Sequence, residues 1–344
     1  MTAWPLARSY AWNAAHAPVL PPRPRKLPPP VPVKLFDRRL ESAVGIAAGA
    51  LPSAKWVSAY ARLGYGWLTY GTVRSQAVPS FPVPNLLHCR LGDNAVAQPA
   101  PRRLDPAEVT WAVSLGMPSL EPDEWQADLA RARKRLGPDQ LLAVSVGGTP
   151  LPQGDPEQLA EDFARCALWA VEAGADAIEL CLAAAAGAPT PAGAVFEHPK
   201  LAGLVAERVR RRIGGRPLLA KLGASASPRA LHEVATRLAR WVDGFVLIHG
   251  LARKLTKPDG SPALAGPGRD SAMVVGAAIY PHARLQLEEL VAWRKAGAWS
   301  HAILGGGGLT TTTRVSEALA AGADLALVAT AALVDPLIAL RPRP

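Results

Sequence analysis

Residues 305–314 read GGGGLTTTTR and stand immediately before a segment of helical pattern. Glycines let backbone amides approach an anion closely, and the start of a helix contributes the positive end of its dipole, so this run is a phosphate-binding candidate. A tight loop needs glycine in any case, but Thr330 and Ala331, at the end of the next apolar run, strengthen the phosphate reading. Lys221 stands alone in the apolar run PLLAKL at 217–222. A buried ammonium needs an anionic partner, which is either a bound anion or a buried carboxylate such as Glu179 or Asp243. Glu179, Cys181, His249 and Tyr280 are the candidates for acid, base or substrate contact. Glu179 and Cys181 share strand parity and would point the same way. His249 closes another apolar run and belongs to the residue type that titrates near neutrality, which makes it the first candidate for proton transfer. A histidine satisfied by backbone groups would fit the same position.

These residues are carried by a repeating pattern. From residue 44 onward, short apolar runs alternate with amphipathic stretches of helical period, the signature of βα units in a parallel sheet. The predicted strands are 44–49, 66–71, 141–146, 177–182, 217–222, 244–249, 301–306 and 324–329. Helices are predicted at 53–63, 123–136, 155–173, 199–213, 227–241, 282–296 and 311–321, several opening on Ser, Asp or Thr and closing on glycine. Eight strands with crossover helices make an α/β protein, a (β/α)8 TIM barrel, whose active site belongs at the C-terminal strand ends. The long excursions at 72–140 and 250–281 then lie over that mouth. The division expected is a Pro-rich N-terminal arm over 1–32, with eight prolines between 18 and 32, followed by the barrel over 33–344. The segment bearing Trp4, Tyr10 and Trp12 is either a short docking helix or a disordered tail, and the arm through Val31 is expected to contribute few core residues.

The order of motifs resembles the dihydroorotate dehydrogenase family over nearly all of residues 33–336. VGIAAG at 44–49 is similar to that family's first strand, YGTVRSQAVPSFPVPN at 70–85 to its second strand and following loop, and SLGMPS at 114–119 to its N-S-x-G-x-P-N segment. AKLGAS at 220–225, VVGAAI at 274–279 and the run from Ile303 to Leu333 resemble its later flavin- and phosphate-binding segments. The resemblance implies bound FMN, with Ala47, Ala48, Gly49 and Thr72 lining the flavin ring and Lys221 at its pyrimidine end. It implies that Gly276, Gly305, Gly306, Gly307, Thr330 and Ala331 hold the ribityl phosphate.

The substrate half departs from the family. Where the family has N-x-S-[SC]-P-N, with the Ser or Cys base, this chain has Cys181, Leu182 and Ala183–Ala186, and Ala184 has no group that can accept a proton. Val113, Ser119 and His249 stand at or near asparagine positions, and Ala50–Ser53 replaces the F-D-K-N segment with its lysine. The expected function is therefore an FMN-dependent oxidoreductase acting on a small molecule other than dihydroorotate. The alternative is a non-catalytic flavin-binding paralogue serving as a binding or regulatory subunit.

With 344 residues, 49% hydrophobic, the chain can bury a large core. Its net charge of +10 invites a nucleic-acid reading, including a flavin-dependent RNA reductase, but no RNA-binding motif is appended. The clusters Arg131–Arg135 and Arg208–Arg212 fall near predicted helix ends, where cations complement the dipole. Three cysteines without CxxC spacing argue against a disulfide framework or a zinc ribbon, and no metal site is expected. No secretory signal or membrane-spanning run is read, so the expectation is a soluble cytoplasmic protein, with homodimerisation left open.

Overall fold

The computed structural model describes residues 2–24, 31–92, 96–102, 105–149, 155–183, 193–297 and 299–341. Along the chain come α1 (Tyr10–Ala15), the hairpin β1 (Val33–Leu35) and β2 (Arg38–Leu40), β3 (Val44–Leu51), α2 (Ala54–Ala61) and β4 (Trp67–Val73). A first excursion holds β5 (Leu86–Leu91), β6 (Val96–Pro99), β7 (Thr110–Val113) and α3 (Pro122–Arg133). Then follow β8 (Leu141–Val146), α4 (Pro156–Glu172), β9 (Ala177–Cys181), α5 (Pro199–Ile213), β10 (Leu218–Lys221), α6 (Pro228–Leu238) and β11 (Gly244–Leu247). A second excursion carries β12 (Leu251–Leu255) and β13 (Ser271–Gly276), and the chain continues with α7 (Tyr280–Lys295), β14 (Ala302–Gly306), α8 (Thr312–Ala320), β15 (Leu325–Val328) and α9 (Thr330–Val334).

The eight strands read from the sequence close into one parallel barrel, in the order β3-β4-β8-β9-β10-β11-β14-β15 and back to β3. They are legible as near-continuous apolar runs because a parallel strand is covered on both faces, by side chains inside the barrel and by helices outside. Trp67, Leu141, Leu219, Val246, Leu304 and Leu327 fill the barrel interior. The β1–β2 hairpin closes one end of it, since Leu35 and Leu40 join the same cluster and the Phe36 ring packs 6.4 Å from Trp67. Its two turn residues, Phe36 and Asp37, both have positive φ, as a two-residue turn matching strand twist requires.

Each helix is set by the local chemistry of its start and its apolar face. Asp155, Ser227 and Thr311 cap α4, α6 and α8 by accepting backbone N–H groups of Gln158, Ala230 and Arg314. The basic clusters are partnered: Arg208 with Glu157 and Glu161, Arg212 with Glu161, Arg210 with Asp243, Arg211 with Glu207, Arg131 with Asp128 and Arg133 with Asp176. Arg131–Asp128 and Arg211–Glu207 lie within α3 and α5, and the other pairs tie neighbouring helices and loops together.

The two excursions form a second, five-stranded closed sheet, β12-β13-β7-β5-β6, antiparallel except for the β12–β6 pair. The sequence indicated that these segments lie over the mouth but gave no sign of the sheet. Its strands are four to six residues long and sit between proline-rich loops.

The N-terminal segment takes the form of the short docking helix and buries more than the few core residues expected of the arm. Trp4 is 1% exposed and its ring lies 5.2 Å from Trp56. The Trp56 Nε1 donates to the carbonyls of Asn13 and His16 at 2.7 and 2.9 Å, the Ser53 hydroxyl donates to Ala14, and Ala3 N–H donates to Leu333. Thus residues 3–16 pack into the layer of α2 and α9, because their aromatic side chains bury more readily there than in water.

Candidate active site

A cavity of about 690 Å³ opens at the C-terminal ends of the barrel strands, beneath the five-stranded sheet. On one side β3 loses its regular pairing with β4 between Ile46 and Leu51, and the released Ala47, Ala48 and Gly49 face the cavity. Gly49 has φ +96°, and a Cβ placed on it would meet no atom within 4 Å. Small side chains and an open glycine thus give a flat surface that a planar ring can approach. Thr72, at the end of β4, stands beside it, with Oγ1 3.1 Å from Ser145 Oγ.

Towards β14 and β15 the wall changes to glycine backbone. Gly276, Gly306, Gly307, Thr330 and Ala331 all line the cavity. Gly276 and Gly307 have φ +92° and +91°; a Cβ would lie 2.3 Å from Val109 O at the first and 2.8 Å from Ala283 Cβ at the second. Only glycine fits either position. Arg314 closes the cradle from α8 by donating to Gly308 O at 3.2 Å and Thr310 Oγ1 at 3.0 Å. Gly305 differs from its neighbours. It is absent from the cavity wall, and its missing Cβ points at Ala323 and Leu287 in the helical layer, so it serves the packing of helices on the barrel.

Lys221 lines the cavity and is only 3% exposed. Of the carboxylates weighed for it, Glu179 is the partner, with Oε1 3.5 Å from the Lys221 Nζ. Asp243 is instead engaged by Arg210. Glu179 is fully buried and off the cavity wall, and among the described residues neither of its oxygens accepts a hydrogen bond. Cys181 also points into protein and is buried, not lining the cavity.

His249 lies where the sequence placed it, on the cavity wall at the end of β11, with its backbone N–H bonded to Leu222 O at 2.9 Å. Its expected neutral-range titration is corrected. Burial, and then the facing Lys221 cation, push its pKa from the ordinary 6.5 down to about 3. The ring is neutral at physiological pH, and its buried Nδ1 has no hydrogen-bond partner among the described residues. Tyr280 is not at the mouth. The short turn over Ala277–Ile279 swings it to the start of α7, where its hydroxyl donates to Glu317 and its ring faces Arg314 at 4.7 Å. Burial, then Glu317, raise its pKa to about 12. Ala184–Ala186, where the missing base was read, lie outside the described residues.

Several wall residues escaped the sequence reading. Arg74, Ser114, Met117 and Phe81 line the cavity from the first excursion, and Trp4 and Tyr10 line it from the N-terminal segment. Arg74 was findable as a charged residue directly at the end of an apolar strand. Trp4 and Tyr10 had only their aromatic character to mark them.

No family model matches the chain. Among curated proteins it is similar to a dihydroorotate dehydrogenase of Dictyostelium discoideum, at 27% identity over 326 residues, covering 90% of this chain and 86% of that one. A dihydroorotate dehydrogenase (quinone) of Myxococcus xanthus is 26% identical over 312 residues, 88% of this chain and 75% of its own. One from Mycolicibacterium vanbaalenii reaches 31% over 144 residues, 37% of this chain and 41% of its own.

Proposed function

Since the chain is a divergent member of the dihydroorotate dehydrogenase family, we propose that it is an FMN-dependent oxidoreductase whose substrate is not dihydroorotate. The observation that carries this reading is one cavity that gathers a flat small-residue wall, a buried lysine and a positive-φ glycine cradle. Every residue assigned to the cofactor except Gly305 lines it. The volume falls in the usual range for cofactor and ligand sites.

The donor set suits FMN. Ala47, Ala48 and Gly49 would take a face of the ring, and Lys221 would place a cation where negative charge gathers on reduction. The backbone around Gly276, Gly306 and Gly307, with Thr330, would hold the phosphate, and Arg314 keeps that loop in shape. Bound FMN supplies hydride and electron transfer; the chain supplies orientation, charge and exclusion of water.

The change of substrate rests on what the other half of the cavity lacks. In sequence Ala184 offers no base, and among the described residues the cavity wall carries Leu115, Met117, Pro118 and Phe81 and no asparagine. A carboxylated pyrimidine would lose most of its hydrogen bonds there, and a missing base alone costs roughly 10²- to 10⁴-fold.

The test is spectroscopic. Purified protein is expected to be yellow and to release FMN on denaturation, and anaerobic mixing with dihydroorotate is expected to leave the flavin oxidised over minutes. A colourless protein that takes up no added FMN overturns the cofactor reading, and rapid bleaching by dihydroorotate overturns the substrate reading. A yellow protein that no reductant-type substrate bleaches points to the non-catalytic flavin-binding alternative.

A further inference from the structure

Arg74 is 7% exposed and is one of the residues that line the cavity. Its Nε donates to Thr149 Oγ1 at 2.9 Å and its Nη2 to Gly148 O at 3.0 Å. The remaining nitrogen, Nη1, donates to nothing among the described residues and is not one of the sealed, orphaned atoms there. No carboxylate among the described residues lies within ion-pair distance of Arg74. The nearest acidic influence is Asp162, whose carboxylate is taken by the Thr149 backbone N–H at 2.7 Å. A buried guanidinium held by neutral acceptors alone is costly, and the usual remedy is a charged partner bound by the planar fork.

The position of this cation separates it from the phosphate cradle. Gly148 and Thr149 follow β8, four strands around the barrel from β14, which is the opposite side. Beside Gly148, which accepts from Arg74, the cavity wall carries apolar groups. Met117 Cε and Thr72 Cγ2 both come within about 3 Å of the point where a Gly147 Cβ would stand. The Phe81 ring packs 3.3 Å from the corresponding point on Gly116. Ser114 adds a hydroxyl to the wall, and behind it the buried Arg269 donates to that hydroxyl at 3.1 Å.

We infer that Arg74 binds the carboxylate of an organic substrate whose apolar body lies against Met117 and Phe81, so that the substrate class is a small monocarboxylate with a hydrophobic or aromatic body. The inference deepens the oxidoreductase reading, on which it rests for the meaning of "substrate", while the binding itself requires only the cavity. Fork-shaped, charge-assisted hydrogen bonding gives the selectivity for carboxylate over a neutral amide of the same shape.

Benzoate and benzamide are the probes, titrated into the purified protein while thermal unfolding and bound FMN are both measured. Benzoate is expected to raise the melting temperature saturably, and benzamide to do no more than a salt control. In Arg74→Gln the half-saturating benzoate concentration is expected to rise about tenfold or more, with partial recovery in Arg74→Lys, because a charge-assisted hydrogen bond is lost. Equal effects of benzoate and benzamide on the wild type, no effect of benzoate, or unchanged affinity in Arg74→Gln would each overturn the inference. Should Arg74→Gln fail to fold, Arg74→Lys carries the test: weakened but still carboxylate-selective binding is expected there, and unchanged affinity overturns the inference. FMN content separates the two claims: Arg74-dependent benzoate binding by a colourless protein that takes up no added FMN supports this site and overturns the cofactor reading.

Discussion

The Lys221 ammonium lies 3.5 Å from Glu179 Oε1, across the β9–β10 pairing, with both side chains almost wholly buried. Lys221 also touches the cavity and Glu179 does not. The pair is therefore asymmetric. Glu179 compensates the lysine from behind and leaves its front free for a ligand. A lysine in this position needs no bound anion to be tolerated, but its charge remains available to one. The two readings offered by the sequence, paired lysine and flavin-facing lysine, describe opposite sides of the same ammonium.

Glu179→Gln should accordingly do more harm than loss of one exposed ion pair. Removing one member of a buried pair typically costs about 3–5 kcal/mol, because the remaining charge is left uncompensated. Denaturant unfolding at constant pH is expected to show a loss toward the lower end of that range, since Lys221 keeps contact with the cavity. The double variant Glu179→Leu with Lys221→Met should recover much of it. A Glu179→Gln protein as stable as the wild type would mean that the pair does not hold Lys221.

His249 gives a pH signature with a definite sign. Its folded-state pKa of about 3 lies below the ordinary 6.5, so between these values the unfolded chain binds a proton that the folded chain refuses. Its contribution to stability is present above pH 6.5 and is lost as pH falls toward 3, with a limiting slope of about 1.4 kcal/mol per pH unit. His249→Gln should flatten the stability profile over that window relative to the wild type. The same shift argues that no step in the enzyme's pH–rate profile near 6.5 belongs to His249. Should His249→Gln slow flavin reduction at full FMN occupancy, the neutral ring acts as a hydrogen-bonding partner of the substrate.

The sequence made the barrel legible because its eight strands are apolar on both faces and its helices carry capping residues and amphipathic stripes. The five-stranded cover was not legible: β6 and β7 are four residues long, and one partner of each, β12 and β13, is distant in sequence. Within the site, small and glycine residues were readable where order along the chain suffices, as at Ala47–Gly49. Four consecutive glycines carry no side chain to reveal phase, so Gly305 was grouped with Gly306 and Gly307 although it faces the helices. Tyr280 was misplaced for a related reason, and Arg74, marked only by its charge at a strand end, could not be aimed. The direction of a side chain just past a strand depends on one or two backbone dihedrals that composition does not encode.

The N-terminal segment is expected to behave as part of the folded core. Truncating a fully buried tryptophan to alanine costs roughly 3–5 kcal/mol when its surroundings cannot collapse. Trp4→Ala should thus lower the unfolding midpoint markedly, and removal of residues 2–16 should lower it further by freeing the Trp56 Nε1 and Ser53 hydroxyl now bonded to that segment. Deletion of residues 2–16 without a change in midpoint would return the segment to a dispensable arm. Because Trp4 and Tyr10 also line the cavity, Trp4→Ala should alter ligand binding there as well.

Two glycine substitutions separate cofactor binding from fold packing. Both Gly49 and Gly307 sit at positive φ, where an alanine costs of order 1–3 kcal/mol in backbone strain. At Gly307 a methyl group would also press to 2.8 Å against both Ala283 Cβ and Ile248 Cγ1, within protein. At Gly49 the methyl would meet nothing and project from the surface where the ring is proposed to lie. Gly307→Ala is therefore expected to lose both stability and FMN, whether or not cofactor is supplied during unfolding. Gly49→Ala is expected to lose FMN with a smaller change in the stability of the cofactor-free protein. FMN content by absorbance, and unfolding midpoints of cofactor-free protein, provide the comparison. Full FMN occupancy in Gly49→Ala would place the ring elsewhere in the cavity, because a methyl group on its supporting surface could not leave its binding unchanged.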